Sequence, residues 1–288
     1  MTDPLHAQMA CVWEATARKP GNVHRYRDFG DTTYLDFVAS AAAIGPVFAA
    51  ELTVGELVLA GVRATRLVTG ANTNLGILLL LAPLAVAEPG ADFRANLERV
   101  LASLTRRDAV LVYEAIRLAN PGGLGKVEEG DVSAEPDRGL RELMALAADR
   151  DAVARQYAEG YADVFEVGIP ALREGLARTG CLEGAILLSH LTLMSRSPDT
   201  LLARKRGRAE AEESAAHAAE VLALGWPDTP EGVAKCGELD AWLRERGNGR
   251  NPGATADLIA ACLFAMLRTR ELPLRPTRFF LPEGMARE

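Results

Sequence analysis

Apolar residues recur at spacings of three and four along almost the whole chain, and this periodicity limits what it can fold into. It runs through residues 4–18, 34–50, 54–69, 74–87, 91–103, 106–119, 138–147, 150–166, 168–178, 181–195, 198–224, 231–246 and 253–269. Such spacing gathers apolar side chains on one helical face, and no stretch shows the reliable alternation of a half-buried strand. An all-α, single-domain bundle of about a dozen helices is predicted. Composition agrees: Ala and Leu recur throughout while aromatics make up 6%, and both residues lose little side-chain freedom in a helix. The runs "ILLLLAPLAV" and "GAILLSHLTLM" are apolar nearly all round and belong at the centre. The stretch "LERVLASLTRRDAVLVYEAIRLA" carries a charged face and belongs outside.

Residues 120–137, "NPGGLGKVEEGDVSAEPD", have no such period. Because polar motifs fall on both sides of them, they read as a functional or flexible loop inside one domain, 1–272, rather than as a linker. Three prolines predict an extended C-terminal tail over 273–288. A net charge of −7 argues against broad nucleic-acid binding, which needs a basic face, so any polyanion must meet a local basic cluster. Cys11, Cys181, Cys236 and Cys262 form no CxxC pair, and the first residues lack the basic-then-apolar pattern of a secretion signal. The longest apolar run, Leu75 to Ala87, is too short to cross a bilayer and contains Pro83. A soluble, cytoplasmic protein is expected, with apolar helices able to support a homodimer.

Four polar turns each open into a helix: "KPGNVHRYRDFGDTT", "TGANTNLG", "SRSPDTLLARKRG" and "GNGRNPGATADLIAA". A helix N-terminus offers unpaired N–H donors and a positive dipole end, and Gly lets a phosphate approach the backbone. Helix initiation alone accounts for part of this. Ser197 and Asn251 suit N-caps, Pro198 and Pro252 suit first helical positions, and Gly70 can end one helix before Asn72 caps the next. Asn74 is left over as an amide that can face a ligand. Asp257, near the second turn and among apolar neighbours, wants a cation or hydrogen-bond donors. Arg204, Lys205, Arg206 and Arg208 form the densest basic run. The following "EAEE" can balance them one turn on, yet they are also the best local site for a polyphosphate.

Several familiar sites are excluded. "GGLGK" has the wrong glycine spacing for a phosphate-binding loop, and Val127 stands where Ser or Thr is needed. His6, His24, His190 and His217 make no HxxxH pair, and no GxSxG elbow occurs. His190, on an apolar helix, reads as a hydrogen-bonded core residue, and His24 is the only histidine in a polar cluster.

In their order, "EATARKPGNV", "DFGDTTYLDFVASAAAIGP", "TGANTNLG", "SPDTLLARKRG" and "NPGATADLIAACLF" resemble the triphosphoribosyl-dephospho-CoA synthase family, over about residues 10 to 268. The resemblance implies an all-α enzyme that transfers the triphosphoribosyl group of ATP to the 2′-hydroxyl of dephospho-CoA and releases adenine. Glu14, Lys19, Pro20, Gly21, Asp31, Asn72, Thr73, Gly76, Asp199, Thr200, Pro252, Gly253, Ala256 and Asp257 sit where the family has the same residue. The chain departs from the citrate lyase type at Asn74 and Leu75, in place of His-Lys. It departs again at Thr33, in place of a second acid, and at Asn22, Val23 and His24, in place of Leu-Val-Asp. A different acceptor, such as a pterin-type one-carbon cofactor intermediate, and a non-catalytic nucleotide-binding protein are the alternatives.

On this resemblance Asp31 or Asp257 would stabilise positive charge at the anomeric carbon, with Glu14 as general base. Lys19, Arg25, Arg204 and Lys205 would hold the triphosphate, with Gly21 and Gly253 admitting it to helix N-termini. Mg²⁺ would bridge phosphate oxygens to Asp199 or Asp257. Asn22, Asn72, Asn74 or His24 would recognise or protonate the departing base, beside Thr73 and Asn251.

Overall fold

The computed structural model describes residues 4–122 and 125–281. Fourteen α-helices and one π-helical turn, with no strand among the described residues, make up the predicted all-α class. They form two compact units, each assembled from separated stretches of chain.

The first unit holds the chain up to Val12, Leu35–Ala162 and Leu263–Leu274. It contains most of α1 (Pro4–Thr16), then α2 (Tyr34–Phe48), α3 (Val54–Arg66), α4 (Leu75–Val86), α5 (Phe93–Ala102), α6 (Arg106–Ala119), α7 (Leu140–Ala145) and α8 (Ala152–Ala158). As its composition requires, α4 is the core: every residue from Ile77 to Ala85 is buried. Pro83 has no N–H to give the Leu79 carbonyl one turn back. The buried Tyr157 hydroxyl takes over, donating to that oxygen at 2.6 Å, and Tyr161 donates to the Leu80 carbonyl at 2.9 Å. Thr53 and Thr105 close capping boxes on α3 and α6, and Asp108 joins the two helices by accepting the Gly55 N–H at 3.0 Å.

The 120–137 segment lies within this unit, with Gly123 and Leu124 outside the described residues. Its described part is tied to α6. Tyr113 donates to the Gly130 carbonyl at 2.7 Å, and Arg117 and Arg106 each donate at 2.6 Å, to the carbonyls of Val132 and Pro136.

The second unit holds Trp13–Tyr34, Asp163–Cys262 and the segment from Arg275. After the π-helical turn Asp163–Gly168 come α9 (Ile169–Thr179), α10 (Leu182–Arg196), α11 (Thr200–Arg206), α12 (Arg208–Ala223), α13 (Pro230–Arg244) and the first part of α14 (Gly253–Arg268). The single helix expected over 198–224 is two, because Gly207 adopts φ +94°, outside helical space. The helix expected over 150–166 breaks likewise at Gly160 and Tyr161, at φ +60° and +59°. The tail is not loose as far as it is described. Arg278 and Phe279 carbonyls accept the Leu182 and Glu183 N–H groups at the start of α10, and Leu281 is buried. Residues 282–288 lie outside the described residues.

Candidate functional site

Three of the four polar turns belong to the second unit, and they meet there. The turn after α1 depends on Gly21, whose φ is +72° and where a Cβ would stand 2.7 Å from Leu243 Cδ1. The Gly21 N–H donates to Asp240 Oδ1 at 2.8 Å. Asp240 also holds Arg244 at 2.8 Å, and Arg244 donates to the Asn22 carbonyl at 2.5 Å. Asn22 then reaches the third turn, its Nδ2 donating to Asn251 Oδ1 at 2.5 Å. Its own Oδ1 is buried and accepts no hydrogen bond among the described residues. Further along, exposed Asp31 accepts from the Asn248 amide, while Lys205 Nζ donates to the Asn248 carbonyl at 3.1 Å. Burial lowers the Lys205 pKa and the Asp31 charge raises it, so the two groups sense each other.

Asp199 is the second joint. Neither Ser197 nor Asn251 caps a helix N-terminus as expected. Ser197 ends α10, and Asp199 is the N-cap of α11, its Oδ1 accepting the Leu202 N–H at 2.9 Å. Its Oδ2 accepts both the N–H and the hydroxyl of Thr255 at 2.8 Å, so one carboxylate caps α11 and braces the first turn of α14. Burial raises its pKa, while these donors and the Leu201 N–H oppose the shift. With both oxygens committed and 4% exposure, Asp199 is a poor fit to the expected metal and nucleotide roles. Asp257 sits half-buried on the same helix, two residues beyond Thr255, with Gly253 at the helix start.

Lys19 is fully enclosed. Its ammonium pairs with Glu14 at 2.9 Å and also donates to the Glu14 carbonyl. The residues expected as general base and phosphate ligand, Glu14 and Lys19, are thus joined to each other in a buried ion pair. Arg206 and Arg208 pair with Glu210 and Glu212 at 2.8 and 2.7 Å, the balancing by "EAEE" that helix spacing allows. Arg204 and Lys205 remain half-buried on α11.

His24 is buried at the centre of the first turn. Burial, followed by the charges of Arg244, Lys19, Arg18 and Arg27, lowers its pKa to about 3. Its Nδ1 accepts the Tyr26 N–H at 3.3 Å, which places the proton of the neutral ring on Nε2. Such a ring is uncharged near neutrality and can donate a hydrogen bond, which suits recognition of a departing base better than its protonation. His190 is a core residue as expected, but neither ring nitrogen has a well-formed hydrogen bond among the described residues. Burial and the Lys19 charge bring its pKa to about 3, against the opposing pull of the Pro20 carbonyl.

Sequence reasoning missed Arg18 and Glu183. Glu183 is fully buried and accepts from Arg18 Nε and Nη2 at 2.9 and 2.7 Å, from Arg25 Nη1 at 3.4 Å and from the Leu281 N–H at 2.9 Å. Burial acts to raise its pKa, but Arg18, Leu281 and Arg25 overcome that and hold it below the ordinary value. The signal was available: a lone acid in an apolar run must find cations.

The fourth turn lies in the first unit. There Asn74 stands at the N-cap position of α4, buried, its amide hydrogen-bonded to the Thr65 hydroxyl at 2.9 Å rather than left over for a ligand. Asn72 Oδ1 accepts the Leu75 N–H at 3.3 Å, and the Thr73 and Ser40 hydroxyls lie 2.7 Å apart.

Among the described residues no three His, Cys, Asp or Glu side chains form a preformed metal cluster, and no helix is long and apolar enough to cross a membrane. Residues 5–275 match the profile of the ATP:dephospho-CoA triphosphoribosyl transferase family. A crystal structure of a candidate triphosphoribosyl-dephospho-CoA synthase from Archaeoglobus fulgidus superposes with a TM-score of 0.63 at 29% identity, covering 81% of this chain and 98% of that one. No curated protein matches with comparable significance.

Proposed function

Since the chain belongs to the ATP:dephospho-CoA triphosphoribosyl transferase family, we propose that it moves the triphosphoribosyl group of ATP to the 2′-hydroxyl of 3′-dephospho-CoA. The bond between adenine and the ribose anomeric carbon breaks with its electron pair going to adenine, a bond from that carbon to the acceptor oxygen forms, and the proton that the hydroxyl gives up to a base balances the one that adenine takes up. One observation carries the reading: a chain of net charge −7 gathers Arg18, Lys19, Arg27 and Arg244 around His24, whose pKa is lowered first by burial and then by those charges. Such a field suits a triphosphate. Arg25, Arg204 and Lys205 are the cations we assign to it, with Lys19 acting through its pair with Glu14.

Positive charge grows at the anomeric carbon as the adenine bond breaks. A carboxylate aimed there stabilises the transition state more than the ground state. Exposed Asp31 and half-buried Asp257 suit that task better than Glu14, which is bound to Lys19. The Asn22 oxygen that lacks a donor fits the amino group of a nucleobase. Mg²⁺ arriving on the triphosphate needs only one or two protein carboxylates, and Asp31 and Asp257 fit this where Asp199 does not. When bound, it would neutralise phosphate charge.

Adenine release from ATP, Mg²⁺ and dephospho-CoA tests the reading. It should require the acceptor and fall by about 10² or more in Asp31→Asn. No adenine with any acceptor overturns it. A second reading keeps the ribosyl transfer and changes the acceptor. It is favoured by Asn74 being engaged with Thr65, and by a buried Leu75 where the citrate lyase type carries Lys. Adenine release with a pterin-type acceptor but not with dephospho-CoA would select it.

A further inference from the structure

The C-terminal segment does more than cover α10. Through the carbonyls of Arg278 and Phe279 it satisfies two of the orphan N–H groups of that helix, and the Leu281 N–H returns a hydrogen bond to Glu183 at 2.9 Å. This delivers the Phe280 ring to Arg25, whose guanidinium carbon lies 3.9 Å from the ring centroid. The Tyr26 ring lies 4.3 Å from the same carbon. Arg25 is thus flanked by two aromatic rings that remain 56% and 47% exposed.

The buried carboxylate is shared unequally. Arg18 spends two side-chain nitrogens and its backbone N–H on Glu183, whereas Arg25 makes one long bond of 3.4 Å and no other hydrogen bond among the described residues. One carboxylate faces two guanidinium groups, so a positive charge is left over. It resides on a group whose plane is fixed by its neighbours and whose remaining N–H donors have no hydrogen-bond partner among the described residues. A fork held this way can meet phosphate oxygens with little further loss of side-chain freedom.

We propose that Phe280 and Glu183 are positioning residues for Arg25, and that Arg25, so held, is a ligand of the substrate's phosphate chain. The C-terminal segment is then part of the anion-binding machinery although it lies far from the other polar turns in sequence. This rests on the triphosphate reading above, and its test separates the two.

Binding of ATP with Mg²⁺, and of inorganic tripolyphosphate, is measured by calorimetry on the full chain and on Phe280→Ala, Arg25→Ala and the double variant. Thermal melting checks that each folds. Phe280→Ala should weaken binding about three- to tenfold, the worth of a cation–π contact at a partly exposed site. Because Phe280 acts through Arg25, the double variant should bind no more weakly than Arg25→Ala alone. In turnover assays the loss should appear in KM for ATP and leave kcat little changed. Glu183→Gln, if it folds, should weaken binding in the same non-additive way.

Equal binding by wild type and Phe280→Ala overturns the inference and leaves the proposed function standing. Full additivity of the two substitutions also overturns it. Failure of the wild type to bind either anion overturns both readings.

Discussion

A single buried pair shows how much one residue can hide. Lys19 is fully enclosed, and only the Glu14 carboxylate and carbonyl make its burial tolerable. Lys19→Met strands that carboxylate and should cost about 3–5 kcal/mol in urea unfolding. Lys19→Met combined with Glu14→Gln should recover most of the loss. Recovery of stability without recovery of adenine release would separate the pair's structural role from its place in the site. The sequence marked both residues as polar and important, but could not tell a buried pair from a clamp and a base. Five residues of separation say nothing about exposure once the chain turns at Gly21.

Among the helices, the start of α14 shows what periodicity can and cannot reveal. Asn251 and Pro252 have the right chemistry to start a helix, and a helix does start there. The side-chain acceptor, however, comes from Asp199, fifty-six residues away along the chain. Local signals assign caps to neighbours, and nothing in a linear pattern announces a cap donated from another element. Asp199→Ala should therefore cost more than an ordinary cap. Loss of the α11 cap and of the Thr255 bonds together should exceed about 2 kcal/mol, against about 1 kcal/mol for Thr53→Ala at α3. Urea denaturation of the two variants side by side checks the difference. The helices themselves were legible because burial imposes their period. The breaks at Gly160 and Gly207 were not, since a glycine inside an apolar pattern is compatible with either outcome.

For the whole molecule, two buried histidines add to the loss of stability in acid. An unfolded chain takes up a proton on each near pH 6.5, whereas His24 and His190 in the folded protein resist it until about pH 3. The stability they permit is complete above pH 6.5 and is lost as pH falls towards 3, by about 1.4 kcal/mol per pH unit for each histidine. His190→Leu should remove one of the two contributions. Its unfolding free energy, measured in urea at pH 7 and pH 5, should fall between those two values by about 2 kcal/mol less than that of the wild type. An unchanged slope would mean that His190 takes up its proton in the folded chain as readily as in the unfolded one. The all-α class and three of the converging turns were readable in advance. Their convergence through Asp240 and Asn248 was not, because those residues look like ordinary members of a helix and a loop, and Glu183 alone carried a signal, as a lone acid in an apolar run.

That convergence also bears on the order in which the protein can be made. Arg18 meets Glu183 across 165 residues, Asp31 meets Asn248 across 217 and Asn22 meets Asn251 across 229. As the chain leaves the ribosome, the turn after α1 emerges before these partners and waits for 165 to 229 further residues until they exist. Early helices can form meanwhile from local contacts, but closing such long loops comes late and slowly. The interval before closure is when the turn after α1 most needs protection from aggregation.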